Sequence, residues 1–222
     1  SSDVCSSDLA VRMHFFFSTG LVWVWYVAFG IALVYMVTGV IVFSNRRSWS
    51  GSAGYIVAAF LMAFLLYLLL WTLLVDLAGW LTGMAPLLRG MVAGVLVVLT
   101  VGAGMIHSYR IGVTRYSIPL QGLNHRMRVV HLSDIHLGHL RGKRFFRRIL
   151  EKTREAGAEA VFITGDLFDG TKQLRPETLA MLKTLGIPVF FVEGNHDRYT
   201  GAQTIKTMLR EAGVQVLENE VV

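Results

Sequence analysis

The stretch MRVVHLSDIHLG, residues 127–138, decides the fold of the second half of this chain. Its first six residues, Met127–Leu132, form a short apolar run typical of a strand, and the polar cluster Ser133–His136 follows at once. Two similar units come later, VFITGDLFDG at residues 161–170 and VFFVEGNHD at residues 189–197. Each unit predicts a strand with polar side chains at its carboxyl end.

Helical patterns separate these units. Lys143–Ala156 is predicted to be a helix because apolar positions recur at i, i+3, i+4 and i+7, namely Phe146, Ile149, Leu150 and Thr153. The other predicted elements are a buried strand at Ala160–Thr164, strands at Ile187–Val192 and Val214–Leu217, and helices at Pro176–Leu185 and Ala202–Ala212. This alternating order predicts an α/β fold with a mainly parallel, layered sheet.

The first half of the chain has a different composition. Of the 21 Lys and Arg residues, 17 follow residue 109, and so do 12 of the 15 Asp and Glu residues. A bilayer is spanned by about 20 apolar residues in a helix. Three stretches, at about 15–43, 55–81 and 90–109, meet that length, so we expect three transmembrane helices. A chain that is 54% hydrophobic is also too apolar for an ordinary soluble domain.

Basic residues predict the orientation of these spans. Arg46 and Arg47 follow the first span and share a side with the many bases after Tyr109, whereas Arg12 and Arg89 lie on the other side. The positive-inside rule therefore predicts that the second half of the chain is cytoplasmic.

Asp76 lies near the end of the second predicted span. A carboxylate inside a membrane is a candidate for a functional role. However, Trp80 follows within about one helical turn, which is also typical of an interfacial position. Sequence alone leaves both interpretations of Asp76 open.

Residues 1–9 are unlike the rest of the chain. Ser-Ser-Asp occurs twice around Val4-Cys5, and the stretch resembles the translation of a sequencing adapter, so we leave it out of the fold prediction. Cys5 is the only cysteine, which excludes a disulfide framework. The predicted organisation is then a membrane domain at residues 10–109, a linker at 110–125 and an α/β domain at 126–222.

The three polar clusters predict a metal site. In parallel sheets, ligands gather at the carboxyl ends of the strands, where consecutive loops meet. The clusters offer carboxylates, imidazoles and an amide but no thiolate, a donor set suited to hard or borderline divalent cations. Each cluster alone could be a capped turn, because Asn and Asp favour such positions. Three of them in order, each ending a strand, favour a shared site.

The clusters also carry a family resemblance. Asp134-x-His136, Gly165-Asp166-x-x-Asp169 and Gly194-Asn195-His196-Asp197 resemble the first three signature blocks of calcineurin-like metallophosphoesterases. The wider context resembles bacterial members with several N-terminal membrane helices, and the resemblance covers about residues 126–222. It implies a partial layered α/β metallophosphoesterase domain, two divalent ions (manganese, iron or zinc) and a phosphoester substrate.

By this resemblance, four residues would bind the two ions. Asp134 and His136 would ligate the first metal, and Asp166 would bridge both metals. Asn195 would ligate the second metal and contact the phosphate. Because a bridging carboxylate holds two cations about 4 Å apart, such a site suits in-line attack on phosphorus.

The remaining residues of the blocks would act around the metals. His196 would face the leaving-group oxygen and give it a proton or stabilise its charge. Asp169 and Asp197 would orient ligands through hydrogen bonds.

This sequence departs from the family pattern at its end. Members of the family continue with a further metal-binding histidine and a Gly-His-x-His block, whereas no histidine follows His196 here. We therefore expect residues 1–222 to be a fragment of a longer enzyme that binds metal weakly and hydrolyses poorly.

The expected setting is the bacterial inner membrane, as a multi-pass protein whose phosphoesterase domain is cytoplasmic. The expected partners are the lipid bilayer and a phosphoester, with no nucleic acid. The alternative is a non-catalytic membrane-anchored binding or scaffolding module with a degenerate metal site. A transporter is disfavoured because the spans contain neither a mid-membrane charge nor a broken helix.

Overall fold

The computed structural model describes residues 11–14, 22–46, 48–119, 122, 125–171 and 175–219. Residues 1–9, with their adapter-like sequence, and the start of the first predicted span lie outside the described residues. The chain divides into two compact units, residues 1–43 with 49–110 and residues 44–48 with 111–222.

The first unit contains three long apolar helices. They are α1 at Val22–Phe43, α2 at Trp49–Thr82 and α3 at Pro86–Ser108, and each is long and apolar enough to cross a membrane. The three predicted spans are therefore helices, but α2 begins at Trp49 instead of near Tyr55. Its 34 residues correspond to about 51 Å, more than the roughly 30 Å of a hydrocarbon core.

Small residues line the packed faces of these helices. In α2, Ala58 and Gly79 are buried, and in α3, Gly90 and Ala93 are buried. Such residues let helix backbones approach closely where lipid supplies no hydrophobic driving force. The Trp71 indole also donates a 3.0 Å hydrogen bond to Thr100 Oγ1, which links α2 to α3.

The second unit is built on a parallel sheet. Strands β1 (Val129–Leu132), β2 (Ala160–Thr164), β3 (Val189–Val192) and β4 (Gln215–Val216) lie side by side in chain order. Every neighbouring pair is parallel. The connections contain helix α4 (Lys143–Glu155), the short helix α5 (Pro176–Leu179) continued by a 3-10 helix (Ala180–Leu185), and helix α6 (Asn195–Glu211). The predicted parallel α/β fold is confirmed.

One face of the sheet packs against the helices. The predicted apolar positions of α4 are all buried there. The cluster also contains Val161 and Ile163 from β2 and Phe191 from β3. Burial of this continuous apolar surface holds the strands in register, because a shift of one residue would turn every side chain to the other face.

Ala160–Thr164 was predicted to be a buried strand, and it is buried at Ala160, Val161 and Ile163 but not at Phe162 and Thr164. Phe162 is 38% exposed, and its ring stacks on Phe190 at a centroid distance of 5.1 Å. Burial differs between the two faces of this strand. Among the described residues, the helices of the core cluster pack on the face that carries Val161 and Ile163.

Two predicted helices differ from the structure. The second is α-helical only over α5 and then tightens to the 3-10 helix, which ends at Gly186 with a left-handed φ of 69°. The third begins at Asn195, seven residues before the predicted start, with a kink at Gly201 where φ is 119°. The sequence did not predict the first turns of this helix because Gly201 interrupts the helical pattern.

Candidate metal centre

The three polar clusters follow β1, β2 and β3 at their carboxyl ends. The first two lie on loops, and the third forms the first turn of α6. Backbone hydrogen bonds join the first two loops, since His136 N donates to Asp166 O at 3.0 Å and Leu137 N donates to Leu167 O at 2.8 Å. The parallel pairing of β1 and β2 thus continues past the strands and holds the two loops together.

The backbone is strained at three of the predicted ligands. Asp134, His136 and Asp166 have φ values of 55°, 51° and 51°. Among the described residues, Asn219 is the one other non-glycine residue with positive φ. Such conformations are uncommon outside glycine, and they cluster at functional sites, where the surrounding structure enforces them.

Three side chains come together between these loops. Ligand atoms of His136, Asp166 and His196 all lie within 4.8 Å of one another. Two donors bound to one ion at about 2.1 Å can be up to about 4.2 Å apart, so small side-chain movements would let His136 and Asp166 share one ion, with the His196 ring beside it. Imidazole and carboxylate are also donors that borderline divalent metals take. The residues therefore fit a divalent cation.

Asp166 holds the third cluster in place. Its Oδ1 accepts a 2.9 Å hydrogen bond from the backbone N–H of His196. The approach is close because position 194 is glycine, where any Cβ would clash with Asp166 N and Oδ1. Gly165 has the same role on the other side, since a Cβ there would lie 2.9 Å from Gly194 Cα.

The His196 ring is oriented by its neighbours. Its Nδ1 lies 3.2 Å from the carbonyl oxygen of Asp169. If Nδ1 carries the proton and donates it to this carbonyl, Nε2 is the nitrogen free to bind a ligand or exchange a proton. The ring meets His136 edge-on at a centroid distance of 4.8 Å.

Two predicted ligands lie outside this group of three. The Asp134 side chain is 68% exposed, with its Oδ1 3.9 Å from His136 Nε2, and it accepts a hydrogen bond from the Ser133 hydroxyl. Asn195, the first residue of α6, is also exposed. The structure thus places Asp134 beside His136, whereas Asn195 directly precedes His196 in the first turn of α6.

Asp197 lies beneath the centre and is fully buried. Its Oδ1 accepts from Phe168 N at 3.0 Å, and its Oδ2 accepts from Gly194 N at 2.9 Å. Burial raises the pKa of this carboxyl above its usual range, although hydrogen bonds from the backbone N–H groups of Gly194, Phe168 and Asp166 oppose the shift. One side chain thus joins the loops after β2 and β3.

Asp169 stabilises its own loop. Its Oδ1 accepts from the backbone N–H of Thr171 at 2.9 Å and from the Thr171 hydroxyl at 2.5 Å. Gly138 provides the space for this carboxylate, because a Cβ there would overlap it. The contact ties the loop after β2 to the loop after β1.

Sequence analysis did not identify Arg141 and Glu193. Arg141 Nη1 donates to the carbonyl oxygen of Ile135 at 3.1 Å, between the two strained residues of the first loop. Glu193 precedes the third cluster and pairs with Lys206 Nζ at 2.7 Å, and the hydrogen bond from Lys206 lowers the pKa of the Glu193 carboxyl. No local pattern marks these contacts, since a single Arg or Glu in a loop is common.

Residues 127–219 match the family described as calcineurin-like phosphoesterase. An uncharacterized metallophosphoesterase of Helicobacter pylori is 30% identical over 114 residues, which cover 47% of this chain and 29% of that protein. A transmembrane protein with metallophosphoesterase domain from Danio rerio is 36% identical over 97 residues, or 42% of this chain and 22% of that protein.

The DNA double-strand break repair protein Mre11 of Archaeoglobus fulgidus is 40% identical over 87 residues, which cover 32% of this chain and 20% of that protein. This chain thus spans less than a third of the length of each of these three relatives. The match begins at the start of the parallel sheet and includes every residue of the candidate metal centre. Over residues 127–219, this chain is thus similar to the calcineurin-like phosphoesterase family.

Proposed function

We propose that the protein containing this chain hydrolyses a phosphoester with divalent metal ions bound at the centre formed by the loops after β1, β2 and β3. The observation that carries the proposal is the convergence of His136, Asp166 and His196, of which His136 and Asp166 lie on backbone with positive φ. The match of residues 127–219 to the calcineurin-like phosphoesterase family supports it, because the matched stretch contains all three polar clusters. The domain proposed for this chemistry is residues 126–222, after a membrane domain at 10–109 and a linker at 110–125.

The proposed ligands are those of the signature blocks. Asp134 and His136 would hold the first ion, Asp166 would contribute to both ions, and Asn195 would hold the second. A small rotation of the exposed Asp134 side chain, which is now 3.9 Å from His136 Nε2, would bring it to the first ion. Bound divalent ions supply Lewis-acid stabilisation of the phosphate charge. Manganese, iron and zinc all suit this mixture of oxygen and nitrogen donors.

His196 is proposed to act on the leaving group. Because the Asp169 carbonyl lies 3.2 Å from Nδ1, Nε2 would be the nitrogen that gives a proton to the departing alkoxide. The hydrogen bond from His196 N to Asp166 fixes the ring relative to the bridging carboxylate. Asp169 and Asp197 are proposed to hold these groups in position through the backbone.

Residues 1–222 alone are proposed to bind the second ion weakly. Within this chain that ion would have Asp166 and Asn195 as protein ligands, and no histidine follows His196. Two protein ligands are fewer than a catalytic divalent site normally has. We therefore expect little turnover by residues 1–222.

The membrane topology is proposed from the distribution of bases. Arg46, Arg47 and the bases after Tyr109 support a cytoplasmic phosphoesterase domain in a multi-pass inner-membrane protein. Cys5 is the single cysteine, so a Cys5→Ser background carrying Ser117→Cys gives one labelling site after α3. A membrane-impermeant maleimide should label Ser117→Cys only after cells are opened. Labelling in intact cells would contradict the orientation.

The activity is tested with bis(4-nitrophenyl) phosphate and 4-nitrophenyl phosphate in the presence of Mn²⁺. Residues 1–222 are compared with the same chain extended by any codons that follow in its gene. The extended protein should hydrolyse at least one ester, and Asp166→Ala in the same protein should not. If the extended protein binds Mn²⁺ but hydrolyses neither ester, the proposed activity is contradicted for these substrate classes.

The second candidate is a membrane-anchored binding or scaffolding module with an incomplete metal site. The observation that favours it is the shortage of ligands for a second ion within these residues. A gene that ends at codon 222, together with retained metal binding and no hydrolysis, would support the module. The proposed substrate is not a nucleic acid, and adding single-stranded or duplex DNA to the same assay tests this point.

A further inference from the structure

Helix α4 begins with an exposed cluster of bases that the proposed phosphoesterase chemistry does not use. Six of its 13 residues are Lys or Arg and two are Glu, so the helix has a formal charge of +4. Four of the bases lie in its first two turns and are exposed, namely Lys143, Arg144, Arg147 and Arg148. We call these four residues the basic surface of α4.

Neighbouring carboxylates do not neutralise this surface. Among the described residues, Lys143 and Arg144 have no carboxylate within the distance of an ion pair. Arg147 Nε lies 3.8 Å from Glu151 Oε1, and both side chains are more than half exposed, so this ion pair is weak. Arg148 has a further contact of its own and is left out of the charge count. The other three bases and the one carboxylate have a net charge of +2.

The stability of α4 does not explain why bases occupy its first turn. The positive end of the helix dipole lies there, so Lys or Arg at this end is unfavourable. The structure describes every residue of α4, and its first turn contains no acid that would offset the bases. Gly142, at the N-cap, has no side chain to cap the helix. An anionic partner accounts for bases at a position that the helix itself disfavours.

The second unit is joined to a candidate membrane helix by very few residues. Helix α3 ends at Ser108, and Ile111 already packs against the apolar core that α4 shares. Such a short connection gives lipid head groups a high effective concentration at the second unit. Bases near an anionic bilayer are attracted to its surface. Anionic lipid is therefore the partner that this chain always has within reach.

The basic surface has no aromatic residues for stacking on nucleotides. Proteins that bind single-stranded nucleic acids combine bases with exposed aromatic side chains. Both aromatic residues of α4, Phe145 and Phe146, are buried in the core instead. A bilayer surface needs no such stacking, because it attracts bases through charge alone. These features favour lipid head groups over a single-stranded nucleic acid, and duplex DNA is tested separately below.

We propose that the basic surface of α4 binds the head groups of anionic phospholipids at the membrane surface. Helix α4 follows the loop after β1, so its first turns lie at the same end of the sheet as the candidate metal centre. Lipid binding would thus hold that end of the sheet near the bilayer. The proposal concerns binding alone and does not depend on hydrolysis at the metal centre.

The test uses residues 1–222 in lipid nanodiscs, with Cys5→Ser and Gly142→Cys as the background. Gly142 directly precedes Lys143, and a Cβ there would meet nothing within 4 Å, so position 142 accepts a bimane label. The discs contain phosphatidylcholine alone or with one third phosphatidylglycerol. Both kinds include the same small amount of phosphatidylcholine with a nitroxide on its head group. Bimane quenching by this nitroxide reports contact with the lipid surface, and we expect stronger quenching with phosphatidylglycerol.

The double variant Lys143→Gln, Arg144→Gln should remove most of this difference. Each base near an anionic surface contributes about fivefold, so losing two should lower the ratio of bound to unbound protein about 25-fold. The matched control Arg175→Gln, Lys183→Gln removes two exposed bases, before α5 and in the 3-10 helix, and should quench like the background. Thermal midpoints are measured for both variants. We expect them to match the background, because no described ion pair is lost in either.

The proposal fails if quenching at position 142 is equal in the two kinds of disc. It also fails if both double variants lose quenching equally, because net charge alone would then explain the attraction. Glu211→Cys puts the label at the exposed end of α6, and the same dependence on phosphatidylglycerol there would contradict a contact made by α4. If duplex DNA at an equal phosphate concentration abolishes the quenching, the surface prefers a nucleic acid and the assignment to lipid is wrong.

Discussion

Asp166 Oδ1 accepts a 2.9 Å hydrogen bond from the backbone N–H of His196, although 30 residues separate them in the chain. This contact connects the loop after β2 with the first turn of α6. It requires glycine at position 194, because any Cβ there would collide with Asp166. The position of Asp166, a candidate metal ligand, thus depends on the absence of a side chain at position 194.

Gly194→Ala should therefore damage the centre. The added methyl group would push Asp166 out of position, and overpacking of this kind costs about 1 to 3 kcal/mol. We expect divalent metal affinity to fall at least about tenfold, the size of effect seen when the support of a ligand is lost. Isothermal titration with Mn²⁺ measures this change. Gly142→Ala is the matched control, since a Cβ at that position would meet nothing within 4 Å.

Asp197→Ala should destabilise the second unit. The substitution leaves the N–H groups of Phe168 and Gly194 without their carboxylate acceptor. An unsatisfied buried donor costs about 1 to 3 kcal/mol, so we expect a loss of about 2 to 4 kcal/mol from the free energy of unfolding. Urea unfolding followed by circular dichroism measures this loss.

A conservative variant provides the control for Asp197. Asp197→Asn keeps one acceptor oxygen, so it should lower the free energy of unfolding by less than Asp197→Ala does. If Asp197→Ala unfolded at the same urea concentration as the wild type, the carboxylate would not be joining the two loops.

The proposed role of His196 separates metal binding from proton transfer. If Nε2 gives a proton to the leaving group, His196→Gln should keep Mn²⁺ affinity within about threefold of the wild type. Its turnover in the extended protein should fall by about 10²- to 10⁴-fold, the usual contribution of a general acid. A loss of metal affinity as large as that of His136→Gln would instead make His196 a ligand.

Lys206 forms a pH-dependent contact between α6 and the residues after β4. It pairs with Glu193 and Glu218, whose hydrogen bonds raise the pKa of Lys206, while the same contacts lower the pKa of both carboxyls. Because folding lowers the carboxyl pKa, the ion pair stabilises the fold above pH 4.5. This stabilisation is lost as the pH falls through the folded-state pKa of the carboxyl. Because folding raises the lysine pKa, the same contact stabilises the fold below pH 10.5. This stabilisation is lost as the pH rises through the folded-state pKa of Lys206.

Lys206→Met should therefore lower the thermal midpoint between pH 4.5 and 10.5. The difference in thermal midpoint between Lys206→Met and the wild type should shrink in acid, because the carboxylates become protonated. It should shrink again in strong base, because Lys206 loses its charge. Differential scanning calorimetry over this range measures the profile. Lys183→Met, at an exposed position of the 3-10 helix, is the control and should follow the wild type. A constant difference at every pH would mean that lost packing, not charge, explains the effect.

Sequence patterns predicted most of the architecture because short-range periodicity determines it. Strand β2 was predicted at its observed ends, and α4 within one residue, since apolar spacing and turn residues mark both. The start of α6 was missed because Gly201 interrupts its pattern. The exposed Phe162 was missed because an apolar run does not indicate whether a second layer covers the strand.

The candidate site was predictable in its residue types but not in its geometry. Motif spacing identified His136, Asp166 and His196, yet their mutual distance depends on hydrogen bonds between separate loops. The pairing of Arg12 with Asp76 spans 64 residues and has no local signal at all. Contacts of this kind arise from packing, which a single sequence does not encode in its spacing.

The most direct test of the central claim is Mn²⁺ binding by residues 1–222, measured by isothermal titration calorimetry at neutral pH. We expect one weak site in the wild type that is lost in both Asp166→Ala and His136→Ala. His125→Ala, in the exposed linker, should bind as the wild type does. If Asp166→Ala bound Mn²⁺ with wild-type affinity, the loops after β1, β2 and β3 would not form the metal centre.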